Sequence, residues 1–208
     1  MRFRPTIVVP AAGQGSRFHG SRHKLEQPFD GSTVLGTTLQ HAIETGLPVV
    51  VVTTSALAGQ VAPQLALRDI VVLDEADALR GMGHSIAAGV AERSGAVGWL
   101  VLPGDMPLVR PSSLLAVAAA LEQQPVAYAQ HRGRRGHPVG FSAEMYSELA
   151  ALTGDEGARR LVARYPARAV EVDDPGVLID IDTTQDLDEL RNGLDSGFKP
   201  SAFSPPLY

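Results

Sequence analysis

The sequence contains no cysteine, which excludes disulfides, thiolate metal sites and thiol nucleophiles and suits a reducing compartment. It also lacks a long hydrophobic run. Nothing approaches the roughly 20 apolar residues of a membrane span, and the N-terminal MRFRPTIVVPAAG is too short in apolar length for a signal peptide. Nor is there a basic excess. The net charge of −5 argues against a surface dominated by nucleic-acid binding. His19, His84 and His137 show no short metal-binding spacing, so a zinc site is not expected. These absences leave a cytoplasmic protein with neither membrane nor nucleic acid as partner.

What is present is concentrated in Ile7 to Lys24, IVVPAAGQGSRFHGSRHK. Ile7, Val8 and Val9 suit a buried strand, since branched Cβ atoms pack well on a pleated surface. Gly13 and Gly15 then permit backbone conformations and close approaches that a side chain forbids. Arg17 and Lys24 add positive charge. Together they offer backbone donors and counter-charge to a polyphosphate, for which a nucleoside triphosphate is the natural guest. Two commoner glycine-rich motifs fail by residue type. Phe18 stands where the dinucleotide fingerprint needs a small residue, and Ser21-Arg22 stand where a Walker A loop needs Lys-Ser/Thr.

At 208 residues one domain is expected, spanning 1–194, with a flexible tail over 195–208 that is rich in Gly, Ser and Pro and has no periodicity. No internal repeat is visible. Helical stripes are predicted at Thr33 to Thr45, Ala56 to Leu67, Ser85 to Arg93, from Pro111, Ala143 to Leu152, Asp155 to Tyr165 and from Thr183, where Asp186 occupies a capping-box position. Strands are predicted at Val49 to Thr54, Ile70 to Leu73, Trp99 to Leu102, Val126 to Gln130, Val139 to Ser142, Ala169 to Val172 and Leu178 to Ile181. The continuous apolar β-branched run Val49 to Thr54 is typical of a parallel strand covered on both faces. Trp99 to Leu102 ends in Pro103-Gly104-Asp105-Met106-Pro107, and an acid at the carboxyl end of a central parallel strand lies where open α/β sheets bind ligands. The arginine-rich HRGRRGHP, residues 131–138, reads as a hairpin or crossing near that site.

With these blocks in hand the chain resembles the MobA-like NTP transferase family, and within it the molybdopterin cytidylyltransferase (MocA) type, from about Thr6 to Leu190. The blocks carrying the resemblance are Ala11-Ala12-Gly13-Gln14-Gly15-Ser16-Arg17 with Lys24, Gly81-Met82 with Ser85, Gly104-Asp105-Met106-Pro107, Gly136-His137-Pro138, Gly154-Asp155-x-Gly157-Ala158-Arg159 and Asp180-Ile181-Asp182-Thr183. The chain departs from the family pattern in the length between Arg17 and Lys24, which makes Arg22 a second candidate for the role of Lys24.

The resemblance implies an α/β fold: a Rossmann-like three-layer sandwich with a mostly parallel mixed sheet, of the nucleotide-diphospho-sugar transferase type. It also implies transfer of NMP from an NTP to the phosphate of molybdopterin, with loss of pyrophosphate. The expected catalytic residues are Arg17, Lys24 and Asp105, with Mg²⁺ as cofactor on Asp105 and Asp182 and Asp180 as a rival ligand. Nucleotide contacts fall to Ala11, Ala12, Gly13, Gly15 and Ser85. Acceptor contacts fall to His137, Gly154, Asp155 and Arg159, with Gly154-Asp155 opening a helix whose free N–H groups face the pterin phosphate. The sequence Ala11-Ala12-Gly13 favours CTP over GTP, the methyl of Ala12 narrowing the base pocket. A molybdoenzyme or its insertion chaperone is the implied recipient. Two alternatives remain open: a sugar- or polyol-phosphate nucleotidyltransferase, and a non-catalytic molybdenum-cofactor binding protein. Phe18 discourages a third, a hydride-transferring oxidoreductase.

Overall fold

The computed structural model describes residues 3–13, 15, 18 and 22–195, with side chains as far as Asn192. In chain order its strands are β1 (Thr6–Pro10), β2 (Pro28–Phe29), β3 (Ser32–Thr33), β4 (Val49–Thr54), β5 (Ile70–Leu73), β6 (Gly98–Val101), β7 (Val126–His131), β8 (Arg134–Ser142) and β9 (Ala167–Glu171). The helices are α1 (Val34–Glu44), α2 (Ser55–Val61), α3 (Glu75–Ala78), α4 (Met82–Glu92), α5 (Pro111–Ala120), α6 (Tyr146–Ala150), α7 (Arg159–Arg164) and α8 (Thr184–Asp195).

Seven strands form one sheet in the order β5-β4-β1-β6-β8-β7-β9, and β2-β3 make a small separate ribbon. Strands β5, β4, β1 and β6 are mutually parallel, while β8 is antiparallel to both its neighbours. Side chains of successive strand residues alternate between two cores. Ile7, Val9, Val49, Val51 and Leu100 join α1, α2, α5 and α8 in one apolar cluster; Val8, Val50, Val52, Trp99 and Val101 join α3, α4, α6 and α7 in the other. This is the expected three-layer α/β sandwich. It explains why β4 and β1 read as unbroken apolar runs: both faces are buried.

The structure differs from the sequence expectation in several places. Leu178 to Ile181 is not a strand. Pro175–Leu178 forms a 3₁₀ turn, and the chain beyond it touches the site loop through Ile181 N–H donating to Asp105 O at 3.0 Å. Burial of an apolar run does not by itself distinguish a strand from such a turn. The helix expected over 143–152 is a 3₁₀ turn, Ala143–Met145, followed by the short α6. The helix expected from Asp155 starts only at Arg159, because Gly154 and Gly157 take positive φ of 76° and 52° and interrupt it. HRGRRGHP is a tight hairpin, with Arg132-Gly133 as its tip and Arg134 to Pro138 already in β8. Most of the expected tail, 196–208, lies outside the described residues.

Candidate active site

The carboxyl end of the parallel strands gathers the site. Gly104 N–H donates to Pro10 O at 3.1 Å, which clamps the loop after β6 to the end of β1. The Thr38 hydroxyl, on α1, lies 3.0 Å from Gly104 O and so braces the same turn from below. Nothing in the sequence distinguishes Thr38 from other helical threonines; only its burial against this turn reveals it. Asp105 is thereby held at the rim of the sheet.

Lys24 opens a 3₁₀ turn, Lys24–Glu26, and its ammonium lies 2.6 Å from Asp105 Oδ2 and 3.1 Å from Asp182 Oδ1. The three side chains are only 12%, 15% and 22% exposed. Burial alone would lower the pKa of Lys24, but the two carboxylates outweigh it and hold the amine above the ordinary lysine value. The longer spacing therefore does not displace Lys24. Arg22 is exposed and meets Gln27 through its own carbonyl.

Asp182 faces Lys24, and other residues cap α8. Thr183 Oγ1 accepts from Asp186 N–H at 3.1 Å, and Asp186 Oδ2 accepts from the N–H groups of Thr183 and Asp182, a capping box with Asp in place of Glu. Asp180, nearby, is pushed up to about 6 by burial and by the charges of Asp105 and Asp182, partly offset by a backbone hydrogen bond and Lys24.

The glycine loop is joined to Lys24 by a residue that the motif did not single out. His23 Nδ1 accepts from Leu25 N–H at 3.2 Å, which places the ring proton on Nε2, 2.8 Å from Gly13 O. Its backbone N–H donates to Glu26, whose other oxygen accepts from Gln60 on α2 at 2.6 Å. Gly15 has φ of +61°, and a Cβ there would meet Lys24 Cγ at 3.3 Å. At Gly13 a Cβ would meet none of the described residues within 4 Å. Arg17 lies outside the described residues. Phe18 packs against the larger core.

Ala11 and Ala12 are each 2% exposed, with their methyls in opposite core clusters. The Ala11 N–H is already committed, donating to Val52 O at 2.7 Å. Ser85 is buried in the first turn of α4. Gly154 N–H donates to Arg80 O and Gly83 N–H to Gly154 O, both at 2.8 Å, so the Gly154-Asp155 segment docks on the start of α4. It does not supply a helix N-terminus, and Arg159 is exposed at the start of α7. His137, on β8, is hydrogen-bonded to the Val101 carbonyl; burial holds its imidazole below the usual histidine value, with Asp105 and that carbonyl opposing.

The donor set suits a hard divalent cation. Asp105 Oδ1 is buried with no hydrogen-bond partner among the described residues, an orphaned acceptor of the kind a cation satisfies. Among the described residues no three His, Asp or Glu form a metal-binding group. A cation on Asp105 and Asp182 would take its remaining ligands from substrate oxygens, the usual arrangement for Mg²⁺.

The family profile for the MobA-like NTP transferase domain matches residues 7–170. The chain belongs to this family. Among curated relatives, purine catabolism protein PucB of Bacillus subtilis is 32% identical over 200 residues, covering 90% of this chain and 96% of PucB. Bifunctional protein GlmU of Dechloromonas aromatica is 34% identical over 112 residues, covering 52% of this chain and 24% of GlmU. Among solved structures, Rv0371c from Mycobacterium tuberculosis superposes with a TM-score of 0.76 at 31% identity, covering 91% of this chain and 98% of that one. A complex of Rv0371c with manganese has a TM-score of 0.74 at 30% identity, covering 90% and 97%. As a member of the MobA-like NTP transferases the chain is a nucleotidyltransferase. No helix among its described residues is long and apolar enough to cross a membrane.

Proposed function

We propose that this nucleotidyltransferase moves CMP from CTP to the phosphate of a molybdopterin-type acceptor. An acceptor phosphate oxygen forms a bond to the α-phosphorus, the bond from that phosphorus to the bridging oxygen breaks, and pyrophosphate leaves with the electron pair. The observation that carries the reading is the convergence of Lys24, Asp105 and Asp182 beside the glycine loop. Because the nucleophile is an already ionised phosphate, no general base is needed, and positioning with charge neutralisation suffices. Asp105 and Asp182 would hold Mg²⁺, which when bound neutralises charge on the nucleotide phosphates. Lys24 and Arg17 serve the triphosphate, and Gly13 and Gly15 approach it by backbone. Ser85 lies on the nucleotide side; His137, Gly154, Asp155 and Arg159 lie on the acceptor side. The lack of cysteine suits a cytoplasmic setting.

The preference for CTP rests on the resemblance carried by Ala11-Ala12-Gly13. With its methyl buried, Ala12 acts by setting the distance between the loop backbone and α4. The test is pyrophosphate release with each of the four NTPs, Mg²⁺ and molybdopterin. Release with CTP at a kcat/KM above that with GTP is expected. Equal or greater efficiency with GTP overturns the base assignment, and release only with a sugar or polyol phosphate reassigns the acceptor.

A further inference from the structure

The arginine-rich hairpin is not used by the chemistry described so far. Val126 and Tyr128 of β7 pack with the α4–α6–α7 core, whereas Ala127 and Ala129 pack with the other. Gln130, next in the alternation, returns to the face of Tyr128, and Arg135 is its cross-strand partner. The Arg135 guanidinium lies 4.5 Å from the centroid of the Tyr128 ring, which restrains its plane.

This pair lies close to the site. Strand β8 runs antiparallel to β6 with Val139 opposite Val101, so His137 falls just past the end of β6, where Asp105 follows. Arg135 is two residues further along, across the register shift that β8 makes against β7, so its Cα lies at most about 7 Å from that of His137. Glu171, on the neighbouring strand β9, forms no ion pair with Arg135 among the described residues. Glu171 accepts from Arg132 N–H and, at 2.9 Å, from Gln130 Nε2, so its oxygens close the turn. Among the described residues Arg132, Arg134 and Arg135 make no ion pair. In a chain of net charge −5, three unneutralised arginines in four residues beside the site point to a ligand rather than to fold stability.

We propose that Arg135, stacked on Tyr128, binds the end of the acceptor distal to its reacting phosphate, and that this end is a planar heterocycle presenting a carbonyl, ring-nitrogen or carboxylate edge. A guanidinium offers a rigid fork of N–H donors in one plane, which matches such an edge and which an ammonium cannot reproduce. Arg134 adds charge at the rim without the stacking. This rests on the acceptor reading above.

The test separates the two. Pterin-6-carboxylate, a planar fluorescent heterocycle without a transferable phosphate, is titrated into the protein in the presence of Mg²⁺ and CTP. Binding weakened at least tenfold in Arg135→Ala, with little recovery in Arg135→Lys and unchanged CTP affinity in both, is the expected result. Absence of binding to the wild type, or equal affinity in Arg135→Ala, overturns the subsite. Arg135 is exposed, so both variants should fold, checked by Tm. Arg135-dependent binding of the probe together with no pyrophosphate release from any NTP and molybdopterin would reject the proposed transfer and leave the subsite standing.

Discussion

Lys24 and Asp105, 81 residues apart in sequence, meet at 2.6 Å in a largely buried ion pair. Asp182 closes on the same ammonium from a third segment. The lysine thus stands between two carboxylates that would otherwise repel each other.

Asp105→Asn should lower turnover by at least about 10³-fold, since an amide is a poor ligand for Mg²⁺ and removes the charge that orients Lys24. It should also destabilise the fold by about 1–3 kcal/mol, because a largely buried ammonium loses one of its partners. Pyrophosphate release and urea denaturation measure the two effects. Near-normal turnover would remove Asp105 from the site.

His23 can be dissected by choice of replacement. Asn is a good helix cap but too short to reach Gly13, whereas Gln has the reach but not the cap. His23→Asn should therefore keep its Tm and raise the KM for CTP several-fold, and His23→Gln should hold the KM near wild type. The reverse pattern would make His23 a cap and nothing more.

Asp180 makes a pH prediction. Its pKa is raised from the ordinary 3.8 to about 6, so the folded protein binds this proton more tightly than the unfolded chain. The associated stabilisation is complete below pH 3.8 and is lost as the pH rises through 6. Asp180→Asn should accordingly be more stable than wild type at pH 7.5 by about 1–3 kcal/mol in metal-free buffer, at roughly 1.4 kcal/mol per unit. The advantage should vanish near pH 4. A difference independent of pH would assign the effect to packing.

Gly136→Ala should unfold readily whatever its effect on substrates. A Cβ there would sit 2.1 Å from Val177 O, a backbone atom that cannot swing aside as the end of a flexible side chain could. A loss of about 3 kcal/mol or more is expected, at the upper end for overpacking. Thermal denaturation decides it, and an unchanged Tm would show that the turn moves freely.

The buried parallel strands were legible because residues covered on both faces must be apolar, and β-branched types pack best there. The strand of the Gly136-His137-Pro138 block was shorter in the expectation than in the fold. Its glycine, histidine and proline carry no alternating apolar pattern, and the places of Gly136 and His137 follow from contacts with Val177 and Val101. Asp182 was open to two roles in the sequence, ligand or cap. The reciprocal bonds of Thr183 and Asp186 assign the cap of α8 to that pair.

The sequence by itself determined the buried parallel strands and the glycine-rich stretch after β1, and it offered Lys24 and Asp105 as site candidates, since these depend on local residue type and spacing; the three-layer sandwich followed from the family resemblance. Only the tertiary structure decided that Lys24 reaches both carboxylates despite the long loop, that His23 links that loop to the turn bearing Lys24, and that Gly154-Asp155 docks on α4 without opening a helix. Those contacts join segments brought together by strand order and by turns at positive φ, and no local periodicity encodes which distant partner a polar side chain will meet.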